Sequence, residues 1–93
     1  MVIGSLSLEL DILEAFSLKD KRRVLRSLKD RVKNKFNVSI AEIGEKDIWN
    51  RALLAIVNVS DNSAHTDSQL SEVINFVEQI HSVSIISINK EIF

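Results

Sequence analysis

Leu6, Leu8, Leu10 and Ile12 alternate with Ser5, Ser7, Glu9 and Asp11. A period of two predicts a strand with one buried face and one wetter face. The stretch Ser17-Leu-Lys-Asp20 then reads as a helix start, with the serine capping free N–H groups and an acid three residues later. Leu18, Val24, Leu25, Leu28 and Val32 share one face at 100° per residue, which predicts a helix from about Leu18 to Asn34.

Asn37–Ile43, carrying Val38, Ile40 and Ile43, predicts a second strand. Gly44-Glu45-Lys46-Asp47 supplies a turn, and Trp49–Ser60 a third strand that closes a hairpin with the second. The middle of that third strand, Leu53 to Val57, is apolar at every position, the pattern of a central strand covered on both faces. Turn and cap residues at 60–63 lead into a second amphipathic helix with Leu70, Val73, Ile74, Val77 and Ile80 on one side. Val83–Ile88 predicts a last strand, with room to extend to Phe93.

The order βαββαβ predicts an α+β, ferredoxin-like two-layer sandwich: a four-stranded antiparallel sheet with two helices on one face. Ninety-three residues suit one such domain, spanning 1–93. Its other sheet face is left open. The apolar third strand predicts that part of this face is covered by a partner or a second copy, with Leu54 and Ile56 at the contact.

Several motifs lie along this pattern: Met1-Val2-Ile3-Gly4, Ser17-Leu-Lys-Asp-Lys-Arg-Arg23, Phe36-Asn-Val-Ser-Ile-Ala-Glu42, and Trp49-Asn-Arg-Ala52 leading to Val59-Ser60. With them the chain resembles the YlxP-like family, small bacterial proteins classed as a domain of unknown function, over nearly its whole length. It departs mildly in having Asn50 where glutamine is commoner and Ala55 where glycine is commoner. The resemblance implies a ferredoxin-like fold and gene neighbourhoods shared with translation and ribosome-maturation factors. It supplies no catalytic residues to carry over.

Composition narrows the chemistry. There is no cysteine, so disulfides, thiolate metal sites and thiol redox chemistry are excluded. Gly4 and Gly44 are the only glycines, which excludes glycine-rich phosphate loops. His65 and His81 stand alone, with no ligand spacing between them, so no metal is expected. They are expected at the surface, His65 near the start of the second helix and His81 past its end. No apolar run approaches the ~20 residues that cross a bilayer, and the N-terminal residues have no basic, signal-like region. A cytoplasmic protein without cofactor or membrane contact is expected.

An enzyme is not expected. No nucleophile–base pairing or cofactor loop is visible. The glycine-rich arginine loop of acylphosphatases and the paired cysteines of metallochaperones, which this fold hosts elsewhere, are both missing. The strands also lack the aromatics of RNA-recognition motifs.

Charge changes the picture most. Between Ser17 and Phe36 nine Lys/Arg face only Asp20 and Asp30, a local charge of +7, while the remainder, with three basic and eleven acidic residues, carries −8. Lys19, Arg22, Arg26, Lys29 and Lys33 follow spacings of three and four, a continuous ridge about 21 Å long on the predicted helix. Lys19, Lys21, Arg22 and Arg23 crowd the helix N-terminus, where the dipole already favours anions. Lys19, Lys21, Arg22, Arg23, Arg26, Lys29 and Lys33 are therefore the candidate contacts for RNA phosphates, with ribosomal RNA or a ribosomal subunit as partner. The alternatives are a solvated charged face and a homodimeric interaction module that uses the open sheet face.

Trp49 and Arg51 are accessory candidates, since an indole beside a guanidinium can stack on a base. The competing and favoured reading has Trp49 plugging the end of the core and Arg51 pairing with an acid such as Glu42.

Overall fold

A computed structural model describes residues 1–93 and contains strand β1 (Val2–Ile12), helix α1 (Leu18–Lys35), β2 (Ser39–Gly44), β3 (Arg51–Ser60), α2 (Ser63–Glu78) and β4 (Val83–Ile92). The sheet is antiparallel with order β2-β3-β1-β4, so the two long central strands are flanked by β2 and β4 as free edges. This is the expected ferredoxin-like arrangement. No helix is long and apolar enough to cross a membrane.

Period two decides which side chains enter the core. Leu6, Leu8, Leu10 and Ile12 of β1 and Ala52, Leu54 and Ile56 of β3 are buried beneath the helices. Leu25, Leu28 and Val32 of α1 and Leu70, Val73 and Val77 of α2 pack down on them. Ser17 caps α1: its Oγ accepts the Asp20 N–H at 3.1 Å, and Asp20 Oδ2 in turn accepts the Phe16 N–H at 3.1 Å. Asn62 does the same for α2 through the His65 N–H.

The open face differs from the expectation. Leu54 and Ile56 point into the core, and the β3 residues of the open face are Leu53, Ala55, Val57 and Val59. An uninterrupted apolar run gives no parity of its own. It is the register, pairing Leu54 with Leu8 and Ile56 with Leu6, that fixes which half turns inward. The hairpin is also wider than expected. Its connection runs from Glu45 to Asn50, and Trp49 lies in the connection, outside the strand.

Both edge strands carry a bulge. Glu42 pairs with Leu54 and Gly44 with Leu53, leaving Ile43 as the extra residue of β2. Glu9 pairs with Ser87 and Leu10 with Ile85, leaving Ile86 as the extra residue of β4. Both isoleucines are exposed.

At the opposite end from the α1 cap, α2 approaches β1 closely. A Cβ at Gly4 would meet Thr66 Cγ2 at 2.4 Å and Leu70 Cδ1 at 2.8 Å. Thr66 is fixed there by donating to Asn58 Oδ1 at 2.9 Å, while its Oγ1 also lies 2.6 Å from Ser60 Oγ. Asn58, buried among the helices, donates to Gln69 and so fastens α2 to β3. Because Thr66 is held by these bonds, Gly4→Ala is expected to lower the free energy of unfolding by about 1–3 kcal/mol. Urea denaturation will measure this as a lower midpoint with an unchanged slope.

Candidate nucleic-acid interface

Eight of the nine basic residues of α1 divide into three groups by what surrounds the helix, and the ninth, Arg23, lies beside Asp20. Lys21 precedes Leu25 by four residues and Leu28 by seven, so it belongs to the core face. It is only 1% exposed. Its ammonium lies 2.7 Å from Glu45 O, 2.7 Å from Ile48 O and 2.8 Å from Glu42 Oε2. Two N–H groups bond to backbone carbonyls and the adjacent carboxylate balances the charge, so the ammonium is engaged within the fold. Lys21 is therefore removed from the expected phosphate contacts: burial, two carbonyl bonds and an internal counter-charge make it a structural cation.

Arg31 and Lys35 form the second group, on the flank facing α2. The Arg31 guanidinium lies 5.5 Å and the Lys35 ammonium 4.9 Å from the centre of the Phe76 ring. Phe76 meets Phe36 edge to face at 5.7 Å.

The third group is the ridge. Lys19, Arg22, Arg26 and Lys33 are exposed and Lys29 is half-buried. The ridge lies on the flank away from α2, beside the free edge of β2. Arg22, Leu25, Arg26 and Lys29 line a shallow cleft of about 200 Å³ with Glu42 of β2. Lys19, Arg22, Arg23 and Arg26 line a neighbouring cleft of about 210 Å³ that contains no hydrophobic residue. Of the nine cations of α1, only Lys21 and Arg23 lie within 4.0 Å of a carboxylate, and Arg23 reaches Asp20 only at 3.8 Å. Lys19, Arg22, Arg26, Lys29 and Lys33 have no such partner, although the remainder of the chain is strongly acidic.

The accessory candidates separate. Arg51 is held on the open sheet face by Asp11, 3.0 Å from its Nε, and by Glu9 at 3.8 Å. The expected acid partner is thus present, though it is not Glu42, whose carboxylate is taken by Lys21. Trp49 does not plug the core. It is 43% exposed and stacks on Phe16, itself 80% exposed, with ring centres 6.5 Å apart and planes 26° from parallel. Phe16 was not singled out from the sequence; the available signal was its place directly before the Ser17 cap, a position that commonly carries an apolar side chain. His65 and His81 are exposed, as expected, and no group of three or more His, Asp or Glu is positioned to hold a metal ion.

The fold and this ridge define a small ferredoxin-like protein with an unpaired cationic helix flank. Residues 3–90 match the family described as "Protein of unknown function (DUF503)", and the chain belongs to that family. It is 42% identical over 82 residues to the "Uncharacterized protein YlxP" of Bacillus subtilis (strain 168), an alignment covering 88% of this chain and 89% of that protein.

The Lys21 contact can be checked directly. Lys21→Met leaves the Glu42 carboxylate without its counter-charge and two backbone carbonyls without their donor, which is expected to destabilise the fold by about 3 kcal/mol. Chemical denaturation will give that loss, and the Trp49 emission of the folded variant is expected to shift to the red as the 45–50 connection loosens.

Proposed function

We propose that this protein is a non-catalytic, RNA- or ribosome-associated binding module that contacts phosphates through the exposed ridge of α1. The observation that carries this reading is the set of five aligned cations, Lys19, Arg22, Arg26, Lys29 and Lys33, none with a carboxylate within 4.0 Å. Of the eleven acids elsewhere in the chain, Glu9, Asp11, Glu42 and Asp67 pair with other cations and none pairs with the ridge. Unpaired neighbouring cations repel one another, and Lys19 and Arg22 add to a helix end that is already positive. A phosphate chain along the ridge relieves both terms and releases its own counterions. Arg23, held only loosely, can join the contact; Lys21 cannot. The acidic remainder limits indiscriminate adhesion to nucleic acid.

A second reading, self-association through the open sheet face, is favoured by the row Leu53, Ala55, Val57 and Val59. Val57 and Val59 are exposed there. On this reading Val57→Lys converts a dimer to a monomer in light scattering across a dilution series. A wild type that is monomeric at every concentration removes it.

For the leading reading, equilibrium binding to ribosomal RNA and to intact subunits is measured across a salt series. Each phosphate contact is expected to contribute about −0.7 to −0.9 to the slope of log K against log salt. Combining Arg22→Glu, Arg26→Glu and Lys29→Glu is expected to flatten that slope by about 2–3 units and to abolish binding at moderate salt. Binding that is absent at low salt, or that survives the triple reversal, refutes the ridge.

A further inference from the structure

We infer that the Phe16–Trp49 pair is a stacking platform for an unpaired nucleobase, so that the RNA held by the ridge is single-stranded at the N-terminal end of α1. This rests on the phosphate reading of the ridge and names the substrate class of the same surface. Two large aromatic rings stack on each other, 80% and 43% exposed, and Leu13 and Ile48, close to them in sequence, are exposed as well. A cluster of exposed apolar side chains on a chain of this size marks a place where something lands. The rings are offset and nearly parallel, so the outer face of Phe16 is free to extend the stack by one more flat ring.

The backbone that carries both rings is held before any ligand arrives. The Phe16 N–H is bonded to Asp20 Oδ2, which ties the residue to the first turn of α1. Trp49 follows Ile48, whose carbonyl is held by the buried Lys21 ammonium, and Glu45 at the other end of the connection is held the same way. A platform carried on a held backbone loses little main-chain entropy on binding.

Its position selects the ligand chemistry. Phe16 lies three residues before Lys19, the first cation of the ridge, and six before Arg22. A ligand bridging the two features presents a flat aromatic group next to a line of negative charge, which describes a nucleotide whose base is unstacked. A base-paired duplex keeps its rings inside the helix and satisfies only the ridge.

The test titrates the full-length protein with a 12-nucleotide single-stranded RNA, its duplex, and inorganic polyphosphate as a base-free polyanion. The expected result is quenching of Trp49 emission by the single strand alone. Phe16→Ala is expected to weaken single-strand binding by about 5- to 150-fold, leaving duplex and polyphosphate binding unchanged. Because the Phe16 side chain is exposed, the variant is expected to keep the wild-type thermal midpoint, which circular dichroism checks. Trp49→Leu should reproduce the selective loss, and Trp49→Phe should restore it. The inference is overturned if Phe16→Ala binds all three ligands as wild type does, or loses all three equally; binding that stays salt-dependent in either case leaves the ridge standing. If wild type binds none of the three at low salt, the ridge fails and the platform with it.

Discussion

The surface features of this protein depend on one buried ammonium. Lys21 sits on the apolar side of α1, where an unsatisfied charge would be costly. It is tolerated because a carboxylate and two backbone carbonyls converge on it. Those three acceptors come from the end of β2 and from the connection that follows, so one cation fastens the first helix to the far edge of the sheet. The connection is thereby held where Trp49 meets Phe16, and Glu42 is held where it borders the cleft beneath Arg22 and Lys29. Glu45 adopts a left-handed backbone conformation, φ 59°, and the bond from Lys21 to its carbonyl helps to hold it there.

The helix therefore presents cations in three environments produced by a single rotation of 100° per residue. One is internal and neutralised, two rest on an aromatic ring of the neighbouring helix, and five line the flank beside β2, while the ninth, Arg23, lies next to Asp20. Net charge, close to zero for the chain, describes none of these. What matters is that the acids are placed on other elements and at other sheet positions. Arg51 and Lys90 collect the nearest of them: Asp11 and Glu9 for the first, Asp67 for the second.

Much of the fold was legible because two periodicities were clean. Leu6 to Ile12 could only be a half-buried strand, and Leu25, Leu28 and Val32 could only be one face of a helix. The run from Leu53 to Val57 was not legible in the same way. Every residue is apolar, so nothing local says which parity turns inward, and pairing with β1 decides it. At the site, the ridge of Lys19, Arg22, Arg26, Lys29 and Lys33 followed from spacing alone. Lys21 was misplaced because its charge outweighed its phase, though the intervals to Leu25 and Leu28 place it with the core residues. Trp49 and Phe16 lie 33 positions apart, and only the closure of the hairpin connection over the helix brings them together.

The two bulges have a consequence for how the chain lives at high concentration. Both outer strands offer unpaired backbone and exposed isoleucine, the ingredients of uncontrolled sheet growth. In each, the extra residue interrupts the ladder. On one side the unbroken register runs from Ser39 to Glu42, and on the other it is split into Val83 to Ile85 and Ser87 to Ile92. An incoming strand meets a change of alternation at Ile43 or Ile86, the kind of irregularity that blunts an edge against further pairing where exposed isoleucines sit at the margins.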